Sequence, residues 1–392
     1  MPLSARDHSL LLQAVDLAQG AIGLSDPNPR VGCILHDAAG QLAGQGFTQR
    51  AGGPHAEVMA LRDASAVGRS LVGGTAWVSL EPCAHHGRTP PCVDALIAAG
   101  LARVVVAVAD PFAQVAGQGV ARLRAAGVVV DLAGPGASRQ AAYALNIGFF
   151  SRVLRQRPWV RMKIAASLDG RTALPDGTSQ WITGAAARAD GHAWRRRAGA
   201  VLTGIGTVRG DDPRLDVRLL PTSCQPLRVV LDSHFATPPT ARLLAAPGKA
   251  LIVGAQDQPA RRTALQAAGA DVLLLPGPHG RVDLPALLHR LAADGINELH
   301  VEAGATLNAA LLQAGLVDEL LLYIAPTLLG PGRGMAALPA LQHLDQAIAL
   351  QFDAVEQVGG DLRLRARRVG AADFLPGTAG PESPPPAGGA AA

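Results

Sequence analysis

Residues 80–92 read LEPCAHHGRTPPC, two cysteines parted by two histidines, a glycine and a Pro-Pro pair. Gly87, Pro90 and Pro91 cannot continue a helix, because proline lacks a backbone donor and its ring clashes with the preceding turn. The chain must therefore loop out after Cys83 and return at Cys92. Each cysteine follows a proline at a predicted helix start, where the positive end of the helix dipole favours a thiolate. Upstream, PHAEV (54–58) sets His55 and Glu57 two residues apart at another predicted helix start. One histidine and two cysteines offer three ligands for zinc and leave the fourth position to water, as in catalytic rather than closed structural sites. Glu57 beside that water can move protons without ligating.

The general pattern of zinc nucleobase deaminases is H-x-E followed by P-C-x-x-C. His55-Ala56-Glu57 meets its first half, but eight residues lie between Cys83 and Cys92 instead of two. His85 and His86 are rival ligands, placed below the cysteines because soft thiolates suit zinc better in a mixed site. Cys33, inside VGCIL (31–35), reads as a small buried hydrophobe. Cys224, in PTSCQP (221–226), has no partner nearby in sequence and reads as incidental.

Around this stretch, apolar Val-rich runs ended by Gly or Asp alternate with helix-period segments, which indicates sheets covered by helices. With 392 residues, two domains are expected: residues 1–150, then 151–370, with a boundary near the helical stretch that precedes Pro158. The second series runs through strands WVRMKIAAS (159–167), AVLTGIGTV (200–208), PLRVVLDS (226–233), KALIVGA (249–255), DVLLLP (271–276), ELHVEAG (298–304) and ELLLYIAPTLL (319–329). Residues 371–392, rich in Pro, Gly and Ala, are expected to be disordered.

Aromatic residues make up 3% of the chain, so its cores must be built from Val, Leu, Ile and Ala. The net charge of +4 is not gathered into a basic tract with interleaved aromatics, which disfavours nucleic acid as a partner. The same two figures disfavour a nucleic-acid deaminase carrying a reductase-like binding module, which would need stacking residues for single strands. A purely structural zinc knot would leave Glu57 beside an open coordination position without a purpose. The first twenty residues read as an amphipathic helix rather than a signal peptide, and no apolar run is long enough to span a bilayer. Four cysteines without a secretion signal fit a reducing compartment, so the cytoplasm is the expected location.

NPRVGC (28–33), PHAEV, LEPCAHHGRTPPC and DALIAAG (94–100), followed by KIAASLDGRTA (163–173) and SQWIT (179–183), closely resemble the bifunctional riboflavin-biosynthesis deaminase/reductase family. The resemblance runs in order from about residue 7 to 368, and the long cysteine spacing is itself characteristic of that family. It implies a cytidine-deaminase-like three-layer α/β/α domain followed by a dihydrofolate-reductase-like α/β domain. The first would deaminate 2,5-diamino-6-(5-phosphoribosylamino)pyrimidin-4(3H)-one with one zinc on His55, Cys83 and Cys92. Glu57 would be proton donor and acceptor, and Asn28 a substrate contact, where the residues alone equally allow a turn between prolines. The loop histidines and Arg88 could recognise the ribose phosphate or merely form a solvated loop.

The second half says less by itself. VLTGIGTV (201–208) lacks the full G-x-G-x-x-G, so it is weak evidence for a dinucleotide site. HVEAGATLNAALLQAG (300–315) reads as a strand ending at Glu302, then a turn opening a helix whose free N–H groups suit a phosphate; an ordinary strand-turn-helix fits as well. In the run Arg195 to Arg197, the last two arginines read as a solvated face, while a phosphorylated substrate needs one or two guanidiniums. Arg214 and Arg218, flanking LDV (215–217), are further basic candidates.

The resemblance implies that this half reduces the ribosyl group of the deaminated product to ribityl with NADPH. NADP would touch Ala165, Trp181, Thr207, Asp211, Ser233 and the segment Gly304, Ala305, Thr306, Leu307, Asn308, Ala309 and Ala310. Substrate would touch Ser179, Arg195, Leu215, Arg218 and Glu302. Ala305 stands where the family more usually has proline, a change expected to alter loop stiffness more than chemistry. Lys163 is a further candidate from the residues: a strand lysine beside the nicotinamide pocket could orient sugar hydroxyls or assist ring opening, or could blunt an edge strand. The partners expected are small pyrimidine ribotides, with neither nucleic acid nor membrane, and a homo-oligomer is compatible with the reading.

Overall fold

The computed structural model of the chain describes residues 2–85, 90–112 and 116–376. Helix α1 (Ala5–Ala18) begins with a capping box: Ser4 Oγ accepts from Asp7 N, and the Asp7 carboxylate accepts from Ser4 N. Strands β1 (Gly32–His36) and β2 (Leu42–Phe47), helix α2 (Ala56–Ala66), β3 (Thr75–Val78), α3 (Cys92–Ala98), β4 (Arg103–Val106), α4 (Gln118–Ala125) and β5 (Val129–Leu132) follow. They form a five-stranded sheet of order β2-β1-β3-β4-β5, with β3 to β5 parallel and β1 antiparallel to both neighbours.

Two glycines set the layers. A Cβ on Gly32 would stand 1.9 Å from Ala14 O of α1, and one on Gly46 would stand 2.5 Å from Ala60 N of α2. Gly46 pairs with Cys33, the neighbour of Gly32, so the two glycines point to opposite faces. Helices α1 and α2 therefore lie directly against opposite sides of the sheet, giving three layers. Covered on both sides, β4 can carry the apolar run Val104-Val105-Val106 after Arg103, each of the three valines fully buried.

Helices α5 (Ala137–Leu145) and α6 (Ile147–Arg155) join at Asn146 and lead into a second sheet. Its elements are β6 (Trp159–Ser167), β7 (Arg171–Ala173), α7 (Ala185–Arg197), β8 (Ala200–Gly204), α8 (Ile205–Asp211), β9 (Leu227–Leu231), α9 (Arg242–Ala245) and β10 (Ala250–Gly254). After these come α10 (Pro259–Ala267), β11 (Asp271–Leu274), α11 (Leu284–Ala293), β12 (Glu298–Val301), α12 (Ala305–Gln313), β13 (Glu319–Ala325), β14 (Arg333–Gly334), β15 (Leu350–Val358) and β16 (Asp361–Arg368). The nine-stranded order is β11-β10-β9-β8-β12-β6-β13-β16-β15, parallel from β11 to β13 and antiparallel beyond. Alternation along β6 sends Val160, Met162 and Ile164 into the apolar core with Leu299 and Val301, and sends Arg161 and Lys163 to the other face with His300 and Tyr323.

Three local expectations change. The strand expected over 200–208 ends at Gly204, and the glycine-bearing remainder opens helix α8. The β15–β16 hairpin was not foreseen, although its two-residue Gly359-Gly360 turn, with Gly359 at φ 63°, is the kind that short hairpins use. The tail expected to be disordered from residue 371 is instead placed as far as Pro376. Leu375 is buried against the first sheet's core, and Pro376 O accepts from Arg139 Nη2 at 2.8 Å and Tyr143 Oη at 3.0 Å. The apolar Phe374 and Leu375 supply the bulk that the residues after them lack. Among the described residues no helix is long and apolar enough to cross a membrane.

Candidate active sites

His55 is the N-cap of α2, in extended backbone, so its ring is free of the helix while Glu57 lies in the first turn. His55 Nδ1 stands 3.5 Å from Cys83 Sγ and 3.3 Å from Cys92 Sγ, and the three ligand atoms all lie within 4.8 Å of one another. Cys92 opens α3, as its Pro-Pro prefix suggested. Cys83 does not start a helix; it sits in the loop after β3, where its sulfur accepts from Cys92 N at 3.4 Å. Both thiols thus meet at one helix start rather than two.

This donor set fits zinc: an imidazole and two sulfurs converge with no fourth protein ligand in the cluster among the described residues. Hydrogen bonding from the Cys92 thiol pushes Cys83 down to about 4, which leaves it a thiolate, and the same bond together with burial pushes Cys92 up. Glu57 is buried, and burial followed by the Cys83 charge pushes its carboxyl up to about 7. His85 is half-buried and outside the cluster; His86 and Arg88 lie outside the described residues. Cys33 is fully buried and Cys224 exposed.

Asn28 belongs to loop 25–30, whose backbone closes through Asn28 N to Ser25 O at 2.9 Å. It lines a seam with Arg30, Asn146, Asn297 and Glu298, where the two sheets' units meet.

At the second sheet, Glu302 follows the carboxyl end of β12 and accepts a two-pronged pair from Arg195, Nε at 2.5 Å and Nη2 at 2.8 Å. His300 Nε2 stands 3.4 Å from the same carboxylate. Lys163 lies on β6, between β12 and β13, with Nζ 5.8 Å from the Tyr323 ring centroid. A central strand position removes the edge-strand explanation for this lysine. Burial lowers its pKa, against the opposing charge of Glu302. Ala165 shares its face two residues on.

Arg195 Nη1 also donates to Asp216 O at 3.1 Å, and the buried Asp216 carboxylate accepts from Arg214 Nε and Arg218 Nη1, each at 2.9 Å. Leu215, buried and at φ 54°, sits inside this arginine loop. The structure thus groups Lys163, Arg195, Leu215, Arg218 and Glu302. Asp216 and His300, which join them, were missed, although the arginines flanking LDV were a signal for Asp216.

The remaining expected contacts lie on neighbouring elements. Thr207 and Asp211 are on α8; Ser233 follows β9, and its carbonyl accepts from Ala255 N and Gln256 N at 3.1 and 2.9 Å. Gly304 is the N-cap of α12, so Ala305, Thr306 and Leu307 form its first turn, and Asn308 Nδ2 donates to Met335 O at 2.8 Å ahead of Ala309 and Ala310. Ser179 is half-buried, and Trp181 is 68% exposed with the Arg188 guanidinium 4.5 Å from its ring centroid. Arg197 corrects the solvated-face reading: Nε donates to Glu298 Oε2 at 2.9 Å and Nη2 to Ala144 O and Leu145 O at 3.1 and 3.0 Å. A buried carboxylate from another element captured it, which local charge spacing cannot reveal.

Residues 4–108 match the cytidine and deoxycytidylate deaminase zinc-binding region, and residues 158–364 match the RibD C-terminal domain. The riboflavin biosynthesis protein RibD of Escherichia coli (strain K12) is 44% identical over 372 residues, 92% of this chain and 98% of that protein. The protein of that name from Aquifex aeolicus is 38% identical over 362 residues, again 92% and 98%. Among solved structures, Acinetobacter baumannii RibD in form 1 gives a TM-score of 0.83 at 42% identity over 92% of this chain and 98% of that one. A Thermotoga maritima diaminohydroxyphosphoribosylaminopyrimidine deaminase/5-amino-6-(5-phosphoribosylamino)uracil reductase gives 0.81 at 29% identity over the same shares. Matched in both halves and along nearly the whole of its relatives, the chain belongs to the RibD family, in which a zinc deaminase and an NADPH reductase of riboflavin biosynthesis share one polypeptide.

Proposed function

We propose that residues 1–150 hydrolyse the exocyclic amine of 2,5-diamino-6-(5-phosphoribosylamino)pyrimidin-4(3H)-one. Residues 151–370 then reduce the ribosyl group of the resulting 5-amino-6-(5-phosphoribosylamino)uracil to ribityl. The observation that carries this reading is the convergence of His55, Cys83 and Cys92 beside the buried Glu57. His55, Cys83 and Cys92 would hold the zinc, which when bound would supply a water acidified enough to react near neutral pH. Glu57, buried beside this site, would act as the proton shuttle and accept the two protons of the attacking water in turn. It would pass one to the ring nitrogen and the other to the exocyclic amine, so that the carbon–nitrogen bond breaks and ammonia leaves.

NADPH bound in the second unit would supply the hydride for C1′ of the opened sugar, with a proton completing the reduction. Arg195 and Glu302 hold each other at the substrate end of β12, and Lys163, on the same face, orients the sugar hydroxyls. Arg218, anchored by Asp216 with its side chain 45% exposed, presents a guanidinium to the phosphate. For the deaminase substrate we assign the phosphate to Arg88, so Arg88→Ala raises the deaminase KM at unchanged zinc content; an unchanged KM removes the assignment. Purified protein given the diaminopyrimidine ribotide should release ammonia and then consume NADPH; neither event occurring would refute the reading.

We also infer a homo-oligomer. Strand β15 is a sheet edge, and its bulge after Phe352 brings Leu350, Phe352 and Val355 to one face with Leu362 of β16. Phe352 is 66% and Val355 59% exposed, an apolar sheet face beside the open edge that the same face of a second copy would cover.

A further inference from the structure

We propose that Asn297 and Arg152, with Glu298, position the deaminase's loop 25–30 from outside the deaminase sheet. This rests on the reading above in which Asn28 touches the deaminase substrate. Glu298 opens β12 and Asn297 immediately precedes it, Glu302 follows the end of that strand, and Arg152 lies on α6.

The loop is held largely by these groups. Asn297 Nδ2 donates to Asp26 Oδ1 at 2.7 Å and to Pro27 O at 3.2 Å. Arg152 Nη2 donates to Pro27 O at 3.1 Å, and its Nε donates to Asn297 Oδ1 at 2.6 Å, so the two clamp residues fix each other. At the far end of the loop, Arg30 Nη1 donates to Glu298 Oε1 at 2.6 Å and Nη2 to Arg197 O at 2.7 Å. Asn146 pairs with both backbone groups of Arg30 at 2.8 Å. Asn28 is thus bracketed on both sides by partners distant in sequence.

The clamp has no slack. A Cβ on Gly148 of α6 would fall 2.4 Å from Glu298 Cγ and 2.6 Å from Asn297 O, so α6 rests directly on the start of β12. The loop also runs straight into the metal side of the first sheet. Gly32 N donates to Ser79 Oγ and Ser79 N to Gly32 O, both at 3.0 Å, and Ser79 leads into the loop that carries Cys83. Substrate-binding residues misplaced by an ångström lose much of their effect, so an intact clamp should matter to Asn28 more than to the ligands, of which His55 and Cys92 stand at the starts of α2 and α3 and Cys83 is tied to Cys92 N.

The test uses the full-length zinc-loaded protein with the variants Asn297→Ala, Arg152→Ala and Asn28→Ala. We expect Asn297→Ala and Arg152→Ala each to raise the deaminase KM by roughly tenfold, with kcat changed by less than about twofold, because they loosen substrate binding and not the chemical step. Zinc content and reductase turnover on supplied deaminated intermediate should be unchanged. Arg152→Ala carries the test if Asn297→Ala does not accumulate as folded protein. An unchanged KM in the clamp variants, with Asn28→Ala raising it, overturns the positioning role alone. Zinc, both activities and melting temperature falling together would overturn it as well, since that is general unfolding. If Asn28→Ala itself leaves KM unchanged, the substrate reading of the loop fails and the positioning role falls with it.

Discussion

Arg30 and Glu298, 268 residues apart in sequence, meet at 2.6 Å with side chains only 4% and 1% exposed. Glu298 is also bonded by Arg161 at 2.7 Å and Arg197 at 2.9 Å, and Arg161 passes on to Glu319 at 2.6 Å. One carboxylate from the second sheet therefore collects guanidiniums from three elements, one of them in the first unit's NPRVGC stretch.

Removing that carboxylate's charge should be costly. Burial opposes ionisation of Glu298, but the charges of Arg197, Arg30 and Arg161 outweigh it and hold the carboxyl well below its usual range. Glu298→Gln leaves buried guanidiniums under-compensated, and a loss of about 3–5 kcal/mol is expected in denaturant unfolding. A group whose folded pKa is depressed contributes stability above its unfolded pKa, so this contribution is full at neutral pH and declines as pH falls below the ordinary glutamate value of 4.5. The wild-type chain should lose stability on acidification through that range more steeply than Glu298→Gln. Equal acid profiles would show that the cluster contributes nothing through Glu298.

Lys163 offers a separate check on the reductase. Lys163→Met keeps much of the apolar stem and removes the ammonium facing Glu302. Reductase kcat/KM on the deaminated intermediate should fall by about a hundredfold, with ammonia release from the first substrate intact. Unchanged turnover and affinity would rule out a substrate role for this residue.

How much of this could be read from the chain divides by distance. His55 and Glu57 share one helix start and Cys92 opens another, so local pattern and chemistry sufficed to group them with Cys83. The apolar alternation of β6 and the turn after Glu302 were legible for the same reason. Arg197, Asn297 and Glu298 were not, because their meaning lies in partners far away in sequence and on other elements. Leu375 was hidden similarly: two apolar residues beside a Pro-rich run look like linker until the first unit's core is there to receive them. The β15–β16 hairpin did have a local signal, Gly359-Gly360 between alternating runs, which the strand reading, ending at residue 329, left unused.

The exposed face of that hairpin gives the third prediction. Phe352→Asp puts a charge into the apolar face of β15 and should convert the assembly to a smaller species in sedimentation velocity. A wild-type chain that sediments as a monomer at micromolar concentration would contradict the homo-oligomer.

The most direct measurement for the account as a whole is ammonia release by full-length protein of measured zinc content, wild type beside Glu57→Gln. Wild type should carry one zinc for each chain and lose ammonia release when chelated, as a His55/Cys83/Cys92 site requires. Glu57→Gln should keep its zinc and its NADPH oxidation on supplied intermediate, while deamination falls by at least about a hundredfold. Ammonia release that survives both chelation and Glu57→Gln would contradict the account.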